Sequence, residues 1–454
     1  MPSSNALIGN QSKIPWPLVP LHLGLIAATS ILGPAIACTG VFAALCIIAA
    51  VSTTAGFAFF TLAVSHIADL PGLSHAEVVI PKWTLVLVTF GVILAKVSIE
   101  KRRWDVHLDT PEWLLVMFIL WHVLCSINAI HSMATIGEAL RIAAYPALVV
   151  IVRESLTSRR HLVFAVFGYV VVVLVSGLYT VLGPSEGIGR WAGLTGNANS
   201  LGLVLSLTIP SLIAAWSASC GAILRSIFFT SGSIGVVMLL LTGSRSALLG
   251  LVVQGIVAAV LLKKTKVIAV FATMLLAVAV TFAVSPPLRE LGMTFLRLNS
   301  GTTHRTLLWS AGMDGASRSP IFGHGAGLTV GDVVPNPQWG HSGQAFIFKS
   351  FEDAFGSHNL YVTLVLTLGV PGLLLFVSLI WALCRHHLGA ARNASTHGLR
   401  VSHIAVVAMV VGALCSAMFE SMLVGKLAIN NYFWIAVGIV AAYEKIDRAT
   451  DPNL

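Results

Sequence analysis

Apolar residues in this chain arrive in blocks long enough to cross a lipid bilayer. Blocks fall near 82–97, 112–128, 139–152, 161–183, 198–218, 223–241, 246–262, 267–284, 359–384, 402–422 and 427–443, and the stretch 17–67 is apolar almost throughout. A helix needs about 20 such residues to span the hydrocarbon. The blocks do not alternate between polar and apolar, which argues against a membrane β-barrel. Only 10% of the 454 residues are charged, and mean hydropathy is +0.89. A soluble domain of ordinary composition carries about 25% charged residues. The composition excludes a soluble enzyme, a disordered chain and a disulfide scaffold. It leaves an all-α, polytopic integral membrane protein, read as a single membrane domain over 1–454.

Basic residues set the expected topology. They cluster at Lys96/Lys101/Arg102/Arg103, Arg153/Arg159/Arg160, Lys263/Lys264/Lys266 and Arg385/Arg392/Arg400. These loops share one side if each intervening block crosses once, and the positive-inside rule makes that side cytoplasmic. The net charge of +9 is then a topology signal and not a sign of nucleic-acid binding. The opposite loops hold Asp69, Glu77, Glu138, Glu186 and the segment 285–357. That segment is the one long hydrophilic excursion, and it carries Trp309, Phe322, Trp339, Phe346, Phe348 and Phe351, enough apolar content to fold as an ordered cap. One crossing within 17–67 gives about 12 transmembrane helices and three give 14; 12, with both termini inside, is the expectation. The run ending at Cys38 faintly resembles a lipoprotein signal, but it continues past Cys38 as a retained segment does. The six cysteines form no CxxC pair and read as small buried hydrophobes.

Ionisable residues beside the hydrocarbon are the informative ones. Arg190 sits among four glycines and two asparagines in 187–199, either a backbone-rich anion contact or a glycine turn with a snorkelling arginine. Arg245 sits in the short Thr242-Gly243-Ser244-Arg245-Ser246 link, so it lies at the membrane boundary and calls for a distant acid or an anionic ligand. Arg305 lies in the large loop. His358 lies where that loop re-enters the membrane, and Ser357 is expected to cap a helix with His358 in its first turn. Three arginines and a histidine on one face suit a diphosphate with a base beside it. Glu352-Asp353 is the one adjacent acidic pair on that side, and no Walker, HExxH or GxSxG motif occurs. A metal-dependent sugar transferase and an ATP-driven pump are therefore disfavoured. A flippase or secondary transporter should carry midplane charges and an internal repeat, and neither is evident.

Five motifs in order resemble a known superfamily. His358-Asn359, nine residues, then Gly369-Val370-Pro371-Gly372 fits the pattern H-[NSQ]-x9-G-x-x-G of bacterial O-antigen ligases and related glycan transferases. The Arg190 segment, the Gly243-Ser244-Arg245-Ser246 turn, Arg305 with Leu308-Trp309, and Ser319-Pro320-Ile321-Phe322-Gly323-His324-Gly325 are similar too. The resemblance covers roughly 185–375; O-antigen and exopolysaccharide polymerases share it. It implies a GT-C-like fold with a large periplasmic loop in the bacterial inner membrane. It implies a glycan donor on undecaprenyl diphosphate and an acceptor that is either lipid A–core (ligase) or a second lipid-linked repeat (polymerase). On this resemblance Arg245 and Arg305, with Arg190, hold the diphosphate, and His358 deprotonates the acceptor hydroxyl. No cofactor and no metal are expected. Gly369 and Gly372 are expected to permit close helix packing, and Pro371 to bend its helix.

Overall fold

The computed structural model describes residues 109–182, 191–195, 197–219, 221–264, 305–328, 358–420 and 429–450, with Lys266, Val284, Ser285, Glu290 and Val333. The blocks 17–67 and 82–97 and residues 267–283 lie outside these residues, and so does the choice between 12 and 14 crossings. Within them the chain forms ten α-helices and no strand. They are α1 (Thr110–Cys125), α2 (Ser132–Ser155), α3 (Arg159–Leu182), α4 (Ala198–Ala218), α5 (Ala222–Thr242), α6 (Arg245–Leu261), α7 (Arg305–Arg318), α8 (Leu360–Arg392), α9 (His397–Ser416) and α10 (Ile429–Thr450). Each apolar block in the described part becomes a helix. Seven of them, α1 to α5, α8 and α9, are long and apolar enough to cross a membrane; α6, with 17 residues, is a shorter apolar helix.

Local signals set the ends. Asp109 and Glu112 form a reciprocal capping box before α1, with Pro111 in the first turn. Asn197 accepts from the Asn199 and Ser200 amides and starts α4. Thr396 does the same for α9 through the Leu399 amide. Gly243, at φ 59°, closes α5 in the left-handed region and lets α6 begin two residues later. Helices α4 and α9 run through the middle, where side chains around their whole circumference are buried. Apolar side chains such as Leu120, Met133, Phe229 and Trp381 remain exposed on outer helices, as lipid-facing surfaces require.

The short links make the bundle's two ends differ in charge. One end gathers Arg153, Arg159, Arg160, Arg225, Lys263, Lys264, Arg385, Arg392, Arg400, Lys445 and Arg448. The other carries the starts of α4, α6 and α8, the end of α9, and α7.

Helix α8 is interrupted at its tenth residue. Gly369 has φ 68° and ψ −176°, a region open essentially to glycine alone. Pro371 removes one further amide. In an unbroken helix the carbonyls of Leu366 and Thr367 would accept from residues 370 and 371. Here Val370 donates to Pro320, Leu366 accepts from the His324 amide, and Thr367 accepts from the Gly325 amide, each at 2.8–2.9 Å. The Leu368 carbonyl accepts from Trp121 Nε1 at 2.9 Å, and Trp121 stacks on Phe322 with ring centroids 5.6 Å apart. The turn 319–325 thus inserts into the gap. A Cβ on Gly369 would lie 2.1 Å from the Ile321 carbonyl oxygen, and one on Gly323 would lie 2.3 Å from the Thr367 carbonyl carbon. The Gly369 segment does permit close approach, as expected, but its partner there is a loop and not a second helix.

Gly369→Ala should therefore lower thermal stability in detergent. The backbone strain alone is worth about 1–3 kcal/mol, and the turn must also be displaced. Gly389→Ala, in the same helix with nothing within 4 Å of its added methyl, is the control and should leave the melting temperature within error. Equal behaviour of the two variants would show that the turn does not depend on the break.

Candidate functional site

Glu420 is the hub of the end opposite the basic cluster. It follows α9 by four residues, and its side chain is 11% exposed. Its Oε1 accepts from Arg305 Nη2 at 3.0 Å and from Asn199 Nδ2 at 3.3 Å. Its Oε2 lies 3.1 Å from His358 Nδ1. Arg305 also donates through Nη1 to the Phe419 carbonyl at 2.8 Å, and Trp309 rests against Phe419 with centroids 6.2 Å apart. One carboxylate thus draws together the starts of α4, α7 and α8.

His358 differs from expectation in its placement. The cap of α8 is Asn359, whose side chain accepts from the Tyr361 and Val362 amides. His358 therefore precedes the helix and is not in its first turn. Its backbone lies in the left-handed region, φ 49°. Asparagine is as strong a cap as serine, and capping from Asn359 moves the boundary by two residues. Nδ1 is thus the ring nitrogen that faces Glu420.

Arg305 opens α7 and is held on Glu420. Arg245 is the first residue of α6 and is half-buried. Its helix start is tied to the end of α9 by Ser416 Oγ, which donates to the Ser246 carbonyl at 2.8 Å. Against α4, a Cβ on Gly202 would lie 2.7 Å from Ser244 Cβ, so the Arg245 turn is seated on the helix that carries Asn199. Arg190 lies outside the described residues. Arg305 and His358 are thus joined through Glu420, and Arg245 stands on a helix start anchored four residues before it.

The electrostatics favour an anion. The amino ends of α4, α6 and α8 open on this end, each the positive pole of its helix, and two arginines join them. Two other acids are engaged elsewhere: Glu138 pairs with Arg141, and Asp314 with Arg318 at 2.8 Å. Among the described residues no group of three or more histidine, cysteine or acidic side chains could hold a metal.

Glu420 and Asn199 were missed in the sequence. The available signal was an acid at the last turn of the apolar block 402–422, on the side already rich in arginines. An intramembrane acid with a buried cationic partner is a site candidate in its own right.

The apolar helical bundle, with polar groups gathered at one end, is that of a polytopic membrane protein. Residues 227–377 match the family described as O-antigen ligase, which supports the O-antigen ligase/polymerase superfamily that the motifs resemble. No curated protein matches the chain. The matched span includes Arg245, Arg305, His358 and the Gly369 break; Asn199 and Glu420 lie outside it.

The Arg305–Glu420 pair should be strongly coupled. Removing one partner of a buried pair leaves the other charge uncompensated, which costs about 3–5 kcal/mol when burial is complete and less at this partial exposure. Arg305→Gln should thus destabilise the protein more than Arg305→Gln combined with Glu420→Gln. Thermal unfolding of the three variants measures the coupling; additive shifts would mean that the two side chains do not interact.

Proposed function

We propose that the chain is a glycosyltransferase of O-antigen ligase type, working without a metal. It moves a glycan from undecaprenyl diphosphate to a hydroxyl of lipid A–core, at the periplasmic face of the bacterial inner membrane. The observation that carries this reading is the Arg305–Glu420–His358 cluster, a guanidinium and an imidazole held by one carboxylate. Glu420 accepts the Nδ1 proton of His358 and leaves the Nε2 lone pair to take the proton of the acceptor hydroxyl. The acceptor oxygen then attacks the anomeric carbon, and the bond from that carbon to the diphosphate oxygen breaks. Negative charge grows on the departing diphosphate. Arg245, Arg305 and Arg190, with the amino end of α6, neutralise it. A guanidinium has five donors, so Arg305 can hold Glu420 and a phosphate oxygen together.

Three variants separate the roles. His358→Ala should cut turnover by about 10²–10⁴ while donor binding persists. Arg245→Lys keeps charge but loses the two-pronged grip, so it should weaken donor binding. Glu420→Gln should slow turnover with little loss of donor affinity, because Arg305 remains. Donor affinity and turnover are measured side by side with purified protein. Near-normal turnover of His358→Ala would sink the general-base role. Supplying lipid A–core or a second lipid-linked repeat as acceptor, and sizing the product, separates a ligase from a polymerase of repeat units. Activity should also survive EDTA.

The charge asymmetry of the bundle supports the orientation, since basic ends face the cytoplasm. Asp314, on the site end, is exposed (side chain 56%). Asp314→Cys in a background without the native cysteines should react with an impermeant thiol reagent in intact spheroplasts. Labelling only after lysis would invert the topology.

A further inference from the structure

The end of the bundle opposite Glu420 contains a cavity of about 440 Å³ between α3, α4, α5, α9 and α10. Its walls are apolar, formed by residues such as Val166, Phe228, Met409 and Val440, and Arg159 and Arg160 also line it. Both arginines start α3, at the level where the helices leave the hydrocarbon, so they mark the mouth. Arg160 is exposed, with its guanidinium carbon 5.7 Å from the centre of the Phe164 ring. Arg159 is 60% exposed and lies 3.5 Å from Asp447. That carboxylate also accepts from Ser395. A third cation, Arg225, is drawn to the same rim by a 2.7 Å bond from its Nε to the Ser219 carbonyl, and Ser219 lines the cavity. The rim therefore carries an excess of positive charge over an apolar chamber.

We propose that this cavity is a binding site for an anionic glycerophospholipid, with one acyl chain inside and the phosphate held by Arg159 and Arg160. The volume falls in the range of small-molecule sites, about 300–1,000 Å³. The lining is mainly apolar, and the hydroxyls of Ser211, Ser219, Ser402 and Tyr169 that share it donate to backbone carbonyls, so the chamber suits a hydrocarbon chain better than a soluble metabolite. Basic pockets between membrane helices take acidic headgroups, and the guanidinium fork matches phosphate geometry. Charge complementarity favours an acidic lipid over a zwitterionic one. The inference does not depend on the proposed transferase activity or on which leaflet the basic end faces.

The test is native mass spectrometry of the delipidated full-length protein with equal amounts of phosphatidylglycerol and phosphatidylethanolamine. The wild type should retain phosphatidylglycerol about tenfold in preference, as for a contact worth about 1.4 kcal/mol. Arg160→Gln, a surface change that breaks no ion pair, should reduce the preference several-fold, and Arg159→Gln with Arg160→Gln should abolish it. Lys263→Gln with Lys264→Gln, at the same end but away from the cavity, should leave it intact. Ala215→Phe, which fills the chamber, should lose both lipids; Val440→Phe serves if that protein is not monodisperse. Equal retention of the two lipids would overturn the proposal. So would a preference indifferent to the arginines, or displacement of the lipid by glycerol phosphate alone, which would mean a headgroup site without a chain.

Discussion

The interruption at Gly369 creates a demand that the bilayer cannot meet. Unpaired carbonyls at membrane depth cost several kcal/mol each, because no water is available to them. The turn 319–325 meets that demand with its own amides, and Trp121 supplies another donor. The consequence extends to the site. Helix α7 runs straight into this turn, so its far end is fixed by the break in α8. Its near end is fixed by Arg305, through Glu420 and the Phe419 carbonyl. A short helix with little intrinsic amphipathicity is thus clamped at both ends. His358 stands directly before the cap of the same helix α8 that accepts the turn. The spacing between Gly369 and His358 therefore sets the position of the imidazole relative to the arginine.

Glu420 places an acid at an end that also gathers Arg245, Arg305 and the amino ends of α4, α6 and α8. Its presence is intelligible as a divider of labour. It joins two side chains from different helix starts, Arg305 on one oxygen and His358 on the other. With it, the guanidinium is oriented by two bonds and the Nδ1 edge of the ring has a partner. Asn199 adds a neutral donor to the same oxygen as Arg305, which limits the carboxylate to one arrangement. The carboxylate organises the cluster at the expense of some anion affinity, and the amino ends of α4, α6 and α8 offset that loss.

The helices could be read directly, because the hydrophobic period alone decides where a membrane span lies. Every described block became a helix, and the asymmetry of lysine and arginine reappears as the charged end of the bundle. Arg245 and His358 stand out as candidates because an ionisable residue beside an apolar block is conspicuous, and Arg305 through its place in the motif order. Pairings were not legible. Glu420 lies 115 residues from Arg305 and 62 from His358, and it sat in a block counted as apolar. The partner of Gly369 lay in a turn about 50 residues earlier, where glycine spacing indicated tight packing but not against what. The cap is Asn359 and not the expected Ser357: both residue types cap well, and the bonds to the Tyr361 and Val362 amides decide it.

The backbone of His358 joins these strands. A non-glycine residue with positive φ is uncommon, and histidine is among the types that tolerate it. Such a conformation persists only where surrounding structure holds it, and it clusters at functional positions. Here the two residues that follow His358 are held in place. Asn359 is locked by its two cap bonds, and the amide of Leu360 donates to the Ala417 carbonyl at 2.9 Å, three residues before Glu420. An imidazole one turn into the helix would follow the α8 surface. One placed before the cap, on a left-handed residue, is directed by the loop instead, and it meets the carboxylate that also holds Arg305. The local strain is thus the means by which a helix start presents its side chain to the neighbouring helix end.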